Sequence, residues 1–377
     1  MELSVKRGYR QKINKWLLLY LGIGAVVILL NIIAWNSTAF CDAYIQWIFP
    51  IWVNTYGRLM GLVSFSVGEI LLILGVVLAA AAALLWIFLG VRKWRQKICR
   101  CYLFFAWIFL VVCLIMTLNC FILYHASTFS ETYFDQSSKE YTLEELIEVR
   151  NMVVEECNRL SQEMVRDENG NILYDKDLGE EAIQWMKKLG ETYDRLEGFY
   201  PSPKPLFFSD FFSQQHMCGY FFPFSMEANY NDVMYIMNKP ATLCHELSHL
   251  KGYIYEDEAN FISYLACIES EDPVFQYSGY LSVLNYLDND FYKAVGRDWN
   301  AYIQQPQIYP QVVKDNVFVI EQEWERINGK ALIDTETVDA VSDVVVDATL
   351  KANGVSDGMI SYNRVVTLLL QYYKGEN

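Results

Sequence analysis

The stretch "YLFFAWIFLVVCLIMTLNCFILY", Tyr102 to Tyr124, carries no charged residue. About 20 apolar residues on a helix cross a bilayer core, so this run reads as a membrane span, and the chain divides at it. Upstream, "WLLLYLGIGAVVILLNIIAW" (Trp16 to Trp35) and "VGEILLILGVVLAAAAALLWIFLG" (Val67 to Gly90) have similar length and character, with Glu69 the one charge among the three. A buried core helix can imitate one such run. Three together predict transmembrane helices near 16–35, 67–90 and 102–124, and hence a membrane domain over 1–125. The first run is longer than the apolar core of about 7–15 residues in a cleaved signal peptide, so it reads as a retained anchor.

Basic residues set the expected orientation. Lys6, Arg7, Arg10, Lys12 and Lys15 precede the first run, and Arg92, Lys93, Arg95, Lys97 and Arg100 lie between the second and third. Both clusters are expected on the cytoplasmic side, which puts the amino terminus inside and everything after Tyr124 outside. The loop from Asn36 to Ser66 has Arg58 as its one base, and its aromatic content suits the outer membrane interface, partly re-entrant.

Downstream, residues 126–377 are predicted to form one extracytoplasmic domain, long enough for its own core. It holds 19 basic and 42 acidic residues, a net charge of −23 within a whole-chain value of −15. So acidic a surface excludes nucleic acid as a partner and is otherwise solubilising. Nine cysteines are scattered with no CxxC pair and no disulfide spacing.

This domain reads as predominantly helical with a small sheet. Thr142 followed by Glu145 opens a helix with a capping box, and a second helix is expected near Glu180 to Glu197. The aromatic, Pro- and Asn-rich segment before Met237 reads as short strands and loops, with "GYFFPFSMEANYN" (Gly219 to Asn231) as strand. Further helices are expected near 261–269, 280–287, 312–327, 338–351 and 361–373.

The chemistry lies in "TLCHELSHLKGYIYEDEANF", Thr242 to Phe261. His245 and His249 are four residues apart, on one face of a helix, so two imidazoles can share one tetrahedral cation, with Glu246 beside the open position. This is the HExxH arrangement, in which a zinc ion makes its water acidic and the glutamate takes the proton. A third ligand is needed. On one continuous helix the seven residues from His249 to Glu256 would rise about 10 Å, too far for a shared ion, so the helix must break, and Gly252 is the expected place. Glu256 would then enter from the first turn of a second helix, with Asn260 on the same face able to orient a ligand histidine. Glu258 is the alternative third ligand and Asp257 a further one, their other role being to favour a helix amino terminus. Tyr253 and Tyr255 are candidate donors to an oxyanion. His125 reads as an interfacial residue, and His216 as a loop histidine of no catalytic role, the alternative being a group that approaches the site to support a ligand or an oxyanion.

"HELSHLKGY" followed by "EDEANF", with "GYFFPFSMEANYN" upstream and "GMISYNRVVTLLLQYY" near the carboxyl end, resembles a family of bacterial three-span membrane proteins known only as domain of unknown function 3810. The resemblance covers nearly the whole chain and implies three amino-terminal spans followed by a zincin-like metallopeptidase domain, with no substrate established. The wider similarity is to glutamate zincins, in which a glutamate on a following helix is the third ligand and an acidic or amide residue four positions on supports a histidine. This chain departs from that class in the short gap between His249 and the candidate glutamates. The expectation is a membrane-anchored zinc hydrolase, holding one Zn2+ and acting on a peptide or protein in the cell envelope. The rival is a non-catalytic membrane scaffold or sensor with a structural metal site.

Overall fold

The computed structural model describes residues 2–90, 93–134, 141–355 and 364–375. Three helices are long and apolar enough to cross a membrane, over Lys15–Asn36, Val67–Ile87 and Arg95–His125. They belong to helices α1 (Glu2–Asn36), α2 (Val67–Ile87) and α3 (Arg95–Met116), the last running on through a π-helical turn at Thr117–Phe121 and a final turn at Leu123–His125. The third begins earlier than the apolar run. Arg95, Lys97 and Arg100 are good helix formers whose stems lie along an apolar helix while their charges stay in water, so composition marked the apolar core and missed the first turns. Arg92 of the basic cluster lies outside the described residues.

The chain forms two compact units. The first comprises Met1–Phe49, Val67–Ala126 and Pro223–Ser225. Within it Asn31 Nδ2 on α1 donates to the Val27 carbonyl at 2.9 Å and to Thr117 Oγ1 at 2.8 Å, the second bond joining α1 to α3. Tyr102 Oη donates to the Ala82 carbonyl at 2.6 Å, joining α3 to α2.

The second unit comprises Pro50–Ser66, Ser127–Phe222 and Met226–Asn377. It therefore takes in a segment that the division at residue 125 assigned to the membrane part. Residues 38–60 are largely helical rather than loop. Lys204 ties this segment to the sheet: its Nζ donates to the carbonyls of Met60 (2.8 Å) and Phe65 (3.1 Å) and forms a buried ion pair with Glu227.

The second unit is mainly helical with one small sheet. Helix α4 (Leu143–Glu163) opens on the expected capping box, with Thr142 accepting from the Glu145 backbone and the Glu145 carboxylate accepting from the Thr142 N–H. Helix α5 (Leu178–Leu189) starts at the Asp177 cap and stops at Gly190, short of the predicted 197. Strands β1 (Lys204–Pro205), β2 (Gly219–Phe222) and β3 (Glu227–Tyr230) form a sheet of order β1-β3-β2. β1 is parallel and β2 antiparallel to β3, so the segment read as one strand is a hairpin with β2 on the edge.

Helices α6 (Lys239–His249), α7 (Glu256–Ile268) and α8 (Pro273–Ala294) follow, and α8 packs on α4. Their shared core includes Leu243, Leu247, Phe261, Leu265, Phe275 and Leu284, all nearly inaccessible. Each such side chain contributes about 1.5–3 kcal/mol on burial. The region predicted as one helix over 312–327 is instead two, Pro310–Asp315 and Glu321–Lys330. Helix α9 (Thr335–Ala352) has Asp334 as its cap, and α10 (Val365–Gly375) completes the fold. The expected start of that last helix at Ser361 lies outside the described residues.

Candidate metal centre

Pro240 sits in the first turn of α6, where its missing N–H costs nothing, and the helix ends at His249 with Leu250 as cap. The chain then reverses through Gly252, whose φ of +84° lies in the left-handed region, and α7 begins at Glu256. This is the break required by the distance argument. It brings the first turn of α7 back beside the last turn of α6.

Three donor atoms converge there. His245 Nε2 lies 3.2 Å from His249 Nε2 and 3.0 Å from Glu256 Oε2, and His249 Nε2 lies 4.0 Å from that oxygen. The two rings stand at 89° to each other. Each Nδ1 is engaged on its far side: His249 Nδ1 donates to the Tyr253 carbonyl at 2.7 Å, and His245 Nδ1 to Asn260 Oδ1 at 2.9 Å. A carbonyl oxygen can only accept, so the His249 proton is on Nδ1 and its Nε2 presents a lone pair. Two imidazole lone pairs and a carboxylate oxygen at this range repel one another unless a proton or a metal cation lies among them.

The donor set fits a small divalent ion. Ligands of a tetrahedral zinc with bonds of about 2.0–2.1 Å stand about 3.3–3.4 Å apart, and the three observed separations bracket that value. Electrostatics agrees. Burial works against charge on His245, yet the Glu256 carboxylate bonded to it lifts it to about 9, so a proton here takes the part a metal cation would take. His249 moves the other way, to about 4, because of burial and the charge on His245, with Glu256 opposing.

Glu246 points toward the sheet. The candidate ligand atoms of His245, Glu246 and His249 all lie within 4.8 Å of one another. Its Oε2 is buried without a hydrogen-bond partner, and burial, with Glu256 adding, pushes the carboxyl up to about 8 against the pull of His245. Oε1 rests against Gly219 at the start of β2, where a Cβ would come within 2.5 Å of it. That contact is possible only for glycine.

Glu258 does not join the cluster. It turns to the other side of α7 and accepts the Phe129 N–H, with burial pushing it up to about 8. Asp257 is likewise buried, and burial raises it to about 6 against the pull of Arg364. Tyr253 is fully buried with its ring 3.8 Å from the Arg195 guanidinium, and burial raises the Tyr255 phenol, with Glu258 and Asp257 adding and Arg364 opposing. Burial raises the phenol of Tyr286 on α8, with Cys218 and Glu256 adding to the shift. Nothing in the spacing pointed to it. His216 bonds Asp339 at 2.8 Å on the surface, and His125 packs against Trp35 in the first unit.

The profile of one protein family, described as "Protein of unknown function (DUF3810)", matches residues 44–370. No curated protein and no solved structure matches the chain.

Proposed function

The chain belongs to this family of unknown function, and we propose that it is a membrane-anchored, zinc-dependent hydrolase, acting as a peptidase of the zincin type on peptides or proteins outside the membrane. The observation that carries the reading is the convergence of His245 Nε2, His249 Nε2 and Glu256 Oε2 with both Nδ1 atoms already engaged, beside a buried Glu246 carboxylate with an uncommitted oxygen. His245, His249 and Glu256 hold the ion; Asn260 and the Tyr253 carbonyl orient the two imidazoles. When bound, zinc acidifies a water and polarises a carbonyl.

Glu246 does the proton work. Its candidate ligand atom lies within 4.8 Å of the histidine nitrogens, so the carboxylate stands beside the place the ion would take. A carboxyl raised by burial is a stronger base when ionised, and Glu246 takes the water's proton and returns it to the leaving amine. Among the described residues β2 stands at an edge of the sheet, where an extended peptide can add by backbone hydrogen bonds and pass Gly219 and Glu246. The basic residues flanking the first and third spans support an amino terminus in the cytoplasm and the second unit outside.

The test uses the full-length chain purified in detergent, with metal content measured and a library of quenched peptides screened. Glu246→Gln is expected to keep zinc and lose at least a hundredfold in turnover, because the amide fills the carboxylate's place but cannot accept the proton. Stoichiometric zinc with no cleavage of any peptide by the unaltered chain favours a structural metal in a scaffold or sensor. Near-normal turnover by the glutamine variant overturns the base assignment.

A further inference from the structure

The reversal between α6 and α7 is gripped from outside. Arg195 donates from Nε to the Lys251 carbonyl (3.2 Å), from Nη2 to the Gly252 carbonyl (2.7 Å) and from Nη1 to the Ser127 carbonyl (3.0 Å), and its plane lies over the Tyr253 ring. The grip is returned. Lys251 Nζ donates to the carbonyls of Glu197 (2.5 Å) and Phe199 (3.2 Å) and lies 4.0 Å from the centre of the Tyr200 ring. Two backbone segments thus hold each other through cations that bond carbonyls.

The gripped carbonyls of Lys251 and Gly252 lie in the turn just past the end of α6. One residue further on, the Tyr253 carbonyl fixes the His249 ring, and three residues beyond that Glu256 supplies the carboxylate. The path of Lys251 and Gly252 therefore sets both the orientation of one imidazole and the place of the third donor. A guanidinium suits the task because its planar fork reaches several acceptors at fixed angles, which a lysine ammonium cannot.

We infer that Arg195 is a positioning residue for the His245, His249 and Glu256 donor set, holding the reversal in the one path that brings Glu256 to the histidines. The inference rests on the reading of those three residues as metal ligands. Groups that orient ligands typically change metal affinity by about 10–100-fold when lost.

The experiment is Co2+ titration of the full-length chain in detergent, followed by visible absorption and by competition with a chelator, for the unaltered protein, Arg195→Lys and Arg326→Lys. Arg326 pairs with Asp210 and Glu323 and makes no contact with the reversal, so it controls for loss of an arginine fork. Arg195→Lys is expected to fold by circular dichroism, to bind Co2+ at least tenfold more weakly, and to show an altered absorption band, whereas Arg326→Lys binds normally. Unchanged affinity and spectrum in Arg195→Lys overturn the inference. If Arg195→Lys does not fold, Arg195→Gln carries the test: it keeps an N–H donor near the reversal and removes the fork that joins residues 127, 251 and 252, so at least tenfold weaker Co2+ binding supports the inference and normal binding overturns it. An unaltered chain that takes up neither Co2+ nor Zn2+ refutes the metal centre itself, an outcome distinct from equal binding by chain and variant.

Discussion

At the scale of single residues, His245 decides how metal uptake responds to pH. Without a metal its proton is held up to about 9 by Glu256, despite burial, and a cation must displace it. Below that value each ion bound releases about one proton, so affinity rises by about tenfold per pH unit and levels off as pH passes the raised value. Dissociation constants for zinc measured by competition between about pH 6.5 and 8.5 check this slope; a flat profile means that no such proton is present. Gly219 bears on the neighbouring step. In Gly219→Ala the new Cβ falls within 2.5 Å of Glu246 Oε1 and 2.7 Å of the Asn229 carbonyl, so the carboxylate or the strand must shift. Zinc content is expected to stay normal while peptide turnover falls at least tenfold; normal turnover removes Glu246 from its assigned place. His245, His249, Glu256 and Asn260 were legible because their spacing, folded about one break, leaves few arrangements. The Tyr253 carbonyl was not, since every residue has a carbonyl and only the path of the turn selects this one. Gly219 was silent for a related reason: a missing side chain is informative only once its neighbour is known.

At the scale of elements, the reversal between α6 and α7 was readable from an inconsistency. One helix through Glu256 cannot bring that residue to the histidines, and Gly252 offers the place to turn. Its φ of +84° strains any residue with a Cβ. Gly252→Ala is therefore expected to lower stability by about 1–2 kcal/mol and to weaken zinc binding as well, both measured by thermal unfolding with and without metal. A loss of stability that is equal in the two conditions shows that the turn can relax without disturbing the donors. Helix ends elsewhere were less legible. α8 starts at Pro273 behind the Asp272 cap, seven residues before the first apolar position that marked it, because a cap and a first-turn proline are weaker signals than periodicity. The predicted helix over 312–327 splits at "NVFVI", whose β-branched run is a poor helix interior.

At the scale of the molecule, division by hydropathy located the three spans and missed where residues 50–66 fold. That segment is aromatic and short, so composition gave it to the membrane, whereas a single buried lysine gives it to the second unit. No local pattern announces Lys204, because its partners lie 139 and 144 residues away. Lys204→Met leaves the Glu227 carboxylate buried without its cation, which costs about 3–5 kcal/mol. The double variant Lys204→Met/Glu227→Leu is expected to recover part of this, as the carbonyls of Met60 and Phe65 still lack their donor. Thermal unfolding of the full chain in detergent compares them; equal, mild losses in single and double variants contradict the anchoring role.

The fork at Arg195 gathers carbonyls from residues 127, 251 and 252. Ribosomes deliver these in order: Ser127 shortly after the third long apolar helix, Arg195 next, and the reversal with Glu256 and Asn260 after both. Until that last stretch emerges there is nothing to chelate an ion, and by then all three spans have already been made. Completion of the proposed centre is thus a late event in the life of the nascent chain, and any metal it takes is drawn from whichever compartment the second unit reaches when it folds.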